Sequence, residues 1–161
     1  SFGITGTTYE YLIRQQLNMA GFILSEDPAS SGLMGYGTSF LWNFRSIQAK
    51  TADYTVKAYE SGTLFTTRGA AGAVNFTLPT TASLGLYYGF YNVADQSMLV
   101  ASGTADKVVA FNDQTADSVA FSTSSEKIGG SFVVVADGTG WLVFPVNFGL
   151  GATAQTVTVA T

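Results

Sequence analysis

Beyond Thr51 the chain is cut into runs too short for helices and too regular for a loop. Turn-forming clusters recur at intervals of about 8–12 residues, the spacing of an all-β sandwich or barrel. They are Glu60-Ser61-Gly62, residues 68–72, Ser102-Gly103, Asn112-Asp113, residues 122–125 and Asp137-Gly138-Thr139-Gly140. Between the first of them and Thr51, Ala52, Tyr54, Val56 and Ala58 alternate with Thr51, Asp53, Thr55 and Lys57. Because a strand repeats every two residues, this alternation gives one apolar and one polar face. Val74, Phe76 and Leu78 alternate in the same way, and Pro79 ends that strand because it has no N–H to donate. Residues 84–93 are apolar on both sides, as in a central strand covered on two faces or lying at a subunit boundary. Further strands are expected over 98–101, 107–111, 118–121, 131–136 and 141–146. The glycines of Asp137-Gly138-Thr139-Gly140 make it the clearest hairpin turn. The spacing predicts an antiparallel, jelly-roll-like β-sandwich or barrel over residues 51–161.

Residues 1–50 have a different pattern. Thr7 and Glu10 stand at capping-box spacing, and Tyr9, Leu12, Ile13, Leu17 and Ala20 then share one helical face before Gly21. A helix of about three turns is marginal alone in water, so its stripe needs a surface to lie on. Residues 25–38 are rich in Ser and Gly and read as an extended linker. Phe40, Trp42 and Phe44 then alternate with Leu41 and Asn43, followed by Arg45. The expectation is an N-terminal docking arm, extended and with a short helix, in which Tyr9, Leu12, Ile13, Leu17, Phe40, Trp42, Phe44 and Arg45 bind a partner. The bland alternative is that the helix covers its own β-domain.

Composition narrows the function classes. Only 11% of the 161 residues are charged while 47% are hydrophobic, against a usual charged share of about 25%. So greasy a chain is expected to cover part of its surface with copies of itself or with another protein. Seven unclustered Lys and Arg residues disfavour nucleic-acid binding, since phosphate neutralisation supplies most of that affinity. No apolar run approaches the length of a membrane helix, and the first residues lack a signal-peptide layout, so an unexported cytoplasmic product is expected.

Histidine and cysteine are both absent, which removes the usual general base, the thiol nucleophile and the commonest metal ligands. Glu60 with Asp53, or Asp137 with Asp117, could in principle form a carboxylate pair for glycoside hydrolysis. All four fall in turns or on polar strand faces, where solvated or turn-forming roles are the rule. Asp113, Asp117 and Asp137 do not match a calcium loop, and Gly69, Gly72, Gly129 and Gly130 do not form a phosphate loop leading into a helix. Tyr87, Tyr88, Tyr91 and Trp141 could stack on sugars if they faced outward, but strand aromatics more often serve cores and subunit contacts. No enzyme and no cofactor is expected.

The stretch Tyr59-Glu60-Ser61-Gly62-Thr63-Leu64-Phe65-Thr66-Thr67-Arg68-Gly69-Ala70, followed by Val74-Asn75-Phe76-Thr77-Leu78-Pro79, resembles a β-module recurrent in tailed-phage virion proteins. The run over 85–90, the turn Lys127-Ile128-Gly129-Gly130 and Asp137-Gly138-Thr139-Gly140-Trp141 look like the remainder of that module. The resemblance spans roughly residues 51–145 and carries turn glycines and core positions, with no catalytic residues to transfer. It implies a virion component, as in capsid decoration (cement) proteins and in head or tail fibres, usually trimeric. A leading arm without sustained heptads suits a cement protein on the capsid surface, bridging copies of the major capsid protein as a homotrimer. The alternative is a receptor- or carbohydrate-binding module of a fibre or tail spike.

Overall fold

Two parallel strands of one sheet cannot be joined by a tight turn; they need a crossover, and here the opposing sheet supplies it. The computed structural model describes residues 44–145 and 156–161. The chain runs from β1 (Ser46–Ala49) through β2 (Tyr54–Thr55), β3 (Thr63–Thr66), β4 (Val74–Thr77) and β5 (Tyr87–Tyr91) to β6 (Met98–Ala101), changing sheet at every step. β1, β3 and β5 therefore pair in parallel in one sheet, and β2, β4 and β6 in the other, as a flattened coil. The rest of the chain adds mainly antiparallel strands. β7 (Val108–Ala110) and β8 (Asp113–Ala116) form a hairpin at the far edge of the first sheet, and β9 (Ser118–Phe121) pairs with β6. β10 (Ser131–Ala136) pairs with β5, β11 (Trp141–Pro145) turns back on β10 and lies parallel to β7, and β12 (Thr158–Ala160) pairs with β9.

The result is a sandwich of a seven-stranded sheet, ordered β1-β3-β5-β10-β11-β7-β8, and a five-stranded sheet, ordered β12-β9-β6-β4-β2. An all-β sandwich is what the turn spacing predicts. The pairing directions differ: five of the ten ladders among the described residues are parallel, so the sheets are mixed rather than antiparallel throughout as in a jelly roll. Alternation assigns side chains to faces and is blind to the direction of the neighbouring strand.

The core lies between the inner faces. Phe65, Tyr88, Phe90, Phe132, Val134 and Trp141 from the large sheet meet Val74, Phe76, Met98, Val100, Val119 and Phe121 from the small one. Phe90 is central, its ring 4.9 Å from that of Phe76 and 5.7 Å from that of Phe65. Gly130 has to be small, because any Cβ there would collide with the buried ring of Phe121, itself stacked 4.5 Å from Phe132.

The strand expected from Thr51 to Ala58 shrinks to Tyr54–Thr55. Ala52 and Ala58 are exposed, and a 3-10 turn at Ala58–Glu60 bends the chain away. Glu60 holds that bend, since its carboxylate accepts from the Tyr54 hydroxyl at 2.6 Å and from the Lys57 backbone N–H at 2.9 Å. The hydrogen bond to Glu60, and then burial, push the Tyr54 hydroxyl up to about 12, so it remains a donor across the physiological range. The boundary also moves. Phe44–Thr161 is one compact unit, and β1 is hydrogen-bonded into the large sheet, so the β-domain starts at Phe44 rather than at Thr51. The expected N-terminal helix lies outside the described residues.

Two polar features hold the loops. Asn92, fully buried at the end of β5, accepts from the Thr67 hydroxyl at 2.5 Å and donates to the carbonyls of Gln96 at 2.8 Å and Lys127 at 3.1 Å. At the β10–β11 hairpin, Asp137 accepts from the backbone N–H groups of Gly140 and Thr139, in that order of effect, which hold its carboxyl below the ordinary value of 3.8. Its folded pKa is depressed, so its support for the hairpin is complete above the unfolded value and is lost as pH falls through the folded one. Asp137→Asn is therefore expected to lower the melting temperature at neutral pH and to converge on the parent as pH falls below 3.8, which flattens the acid limb of a thermal-unfolding series.

Candidate docking surface

A sheet that covers a core on one side and meets water on the other should alternate apolar and polar residues. The small sheet does so. Its outer face carries Thr55, Asn75, Thr77, Leu99, Ala101, Ser118 and Thr158, mostly small or polar. The large sheet does not.

Pairing register aligns Ile47, Leu64, Gly89, Val133 and Phe144 in one row across five strands, on the face opposite the core. A second row runs through Tyr87, Val135, Leu142 and Val109. Their exposure grades from the middle outward: Val133 is only 3% exposed, whereas Phe144 is 42%, Val109 37% and Ile47 70% exposed. Phe44 lies across this face, because a Cβ at Gly89 would collide with its ring and with Leu64. Both faces of the large sheet are thus apolar across most of their width.

No protein-family model and no curated protein matches the chain.

Of the residues expected to bind a partner, Tyr9, Leu12, Ile13, Leu17, Phe40 and Trp42 lie outside the described residues. Phe44 and Arg45 are placed in the β-domain itself, where the arm was expected to be separate from it. The Phe44 ring stands 6.2 Å from that of Tyr87. The Arg45 backbone N–H donates to Gly62 at 2.8 Å, and its guanidinium to the Ser61 carbonyl at 2.6 Å. Phe44 is therefore continuous with the outer apolar face, while Arg45 points to the edge of the sandwich near the Ala58–Glu60 turn.

The carboxylates weighed as catalysts are occupied in holding the fold. Glu60 clasps Tyr54 and Lys57, Asp53 accepts from the backbone and side chain of Asn75, and Asp117 accepts from the backbone of Asp106 at 2.7 Å. Asp113 caps its own turn through the Thr115 N–H. Among the described residues no group of three or more carboxylates is placed to hold a metal, and no helix is long and apolar enough to cross a membrane. Of the aromatics considered for sugar stacking, Tyr88 and Trp141 are buried against each other at 5.9 Å and only Tyr91 is exposed.

Of the outer-face rows, only the β5 positions Tyr87 and Gly89 fall in the run, residues 84–93, that reads as apolar on both sides, although the same signal is present in β10 and β11. Residues 131–136 and 141–145 are apolar at nearly every position, where a strand with one wet face would alternate.

Proposed function

We propose that this protein is a structural component of a tailed-phage head, a capsid decoration (cement) protein that binds the outer capsid surface and bridges neighbouring copies of the major capsid protein. The observation that carries the reading is the apolar outer face of the large sheet. Such a face is stabilised by covering it with protein, and a specific protein–protein interface buries about 1,200–2,000 Å² in total. Sequence features point the same way: the resemblance to a virion β-module, the low share of charged residues and the lack of histidine and cysteine. In this reading the protein is not an enzyme and assembles as a homotrimer, so one docking event presents three copies of the face to adjacent capsomers. Burying the face opposes the outward pressure of packaged DNA by adding contacts that must be broken before capsomers separate. The resemblance alone also allows a fibre or tail-spike receptor module, but the outer face of the large sheet carries mainly aliphatic side chains, which suit burial against protein better than recognition of a polar receptor.

The test is to add the purified chain to undecorated heads of the phage that encodes it and to follow DNA release on heating. Release shifted to higher temperature, saturating at a fixed ratio of chain to capsid protein, is the expected result. Unshifted release together with no cosedimentation would overturn the proposal.

A further inference from the structure

At β1 the polarity of the large sheet inverts. Ile47 points outward, while Ser46 and Gln48 share the inner face with Thr63 and Phe65. A polar strip on a face that is elsewhere aromatic is not closed by the opposite sheet. Instead it forms one wall of an open cleft of about 340 Å³, whose other wall is the Tyr59-Glu60-Ser61 turn.

Three properties of this cleft define a ligand. Tyr59 is 84% exposed, the most exposed large apolar side chain among the described residues, and offers a flat ring to stack on. Arg45 is held in place by its bond to the Ser61 carbonyl and packs over Gly62, where an added Cβ would stand 3.0 Å from its Nε and 3.2 Å from the Tyr87 hydroxyl. Arg45 has no ion-pair partner among the described residues, so part of its donor fork is available to a carboxylate. Glu60 also lines the cleft, but both its oxygens are engaged by Tyr54 and Lys57, which turns its charge inward. Gln48 and the hydroxyls of Ser46 and Ser61 supply uncharged donors and acceptors.

The geometry points to a binding site for a carboxylate-bearing pyranose, with the sugar ring stacked on Tyr59 and its carboxylate on Arg45. A nucleotide fits less well, because one cation cannot neutralise a run of phosphates. The site lies at the edge of the sandwich, where Arg45 also borders Tyr87 of the outer face, and goes beyond the capsid-docking role: it would let a protein carried on a particle hold acidic surface glycans.

The test uses the full chain, titrated by NMR with sialyllactose, with a glucuronate-containing tetrasaccharide and with neutral lactose. Shifts confined to the Arg45–Ser61 region, for either acidic probe and not for lactose, are expected. Tyr59→Ala, at an exposed position, should weaken that binding by roughly tenfold or more. Arg45→Gln should abolish the preference for the acidic sugars. Lack of binding by both acidic probes, equal binding of lactose, or unchanged affinity in Tyr59→Ala would overturn the inference. Each result is separate from head binding, which Tyr59→Ala should leave intact.

Discussion

Phe90→Ala is expected to cost about 3–5 kcal/mol, the range for emptying a fully buried aromatic site. Phe90 is 0% exposed and touches rings from both sheets, Phe65 on its own sheet and Phe76 across the core. Truncation removes the contact through which the coil formed by β1–β6 is closed, and neighbouring rings on short strands cannot all shift to refill the space. With total stabilities of about 5–15 kcal/mol for a domain, that loss is a large fraction of the whole. It should lower Tm by on the order of 10–20 °C in calorimetry. A drop of only a few degrees would mean that the aromatic cluster is not the centre of the fold.

The second large effect is expected from an isosteric change. Asn92→Asp keeps the shape of the side chain but replaces a donor amide with an oxygen facing the carbonyls of Gln96 and Lys127. Acceptors then face acceptors at a fully buried site, where an ionised carboxylate is poorly tolerated. Leaving buried groups unsatisfied in this way costs about 1–3 kcal/mol each, and more where the group is charged. Because the carboxyl suits this site better when neutral, its folded pKa is raised, and the variant should be most stable at low pH and weaken as pH rises past the ordinary carboxylate range. Urea titrations at pH 4 and pH 7 would show it: the wild type should change little between them, and the variant should lose most of its stability at the higher pH.

The legible and illegible parts of this fold separate along physical lines. Strands Met98–Ala101, Ser118–Phe121 and Ser131–Ala136 are where turn spacing and apolar runs place them, because burial on the sandwich fixes both their length and their composition. Thr63–Thr66 and Asp113–Ala116 were not foreseen. The first is half threonine and sits in the run that carries the family resemblance, and the second begins within what reads as a turn. Their strand character comes from neighbours: β3 is clamped between β1 and β5, and β8 is held by β7. The parallel pairings were equally hidden, since alternation looks the same in either direction. Of the docking surface, Phe44 was visible as an aromatic anchor, but its place over Gly89 depends on a strand-to-strand register that no local pattern encodes.

The outer apolar face is the part on which the functional reading stands, and Ile47 and Val109 mark its two sides while being exposed enough to replace without emptying the core. The decisive measurement is cosedimentation of the Ile47→Lys/Val109→Lys double variant with undecorated phage heads, beside the parent chain at matched concentration and with Tm checked for both. An intact Tm with head binding lost is the expected result; a variant that still saturates the heads like the parent would show that this face is not what holds the protein to the capsid.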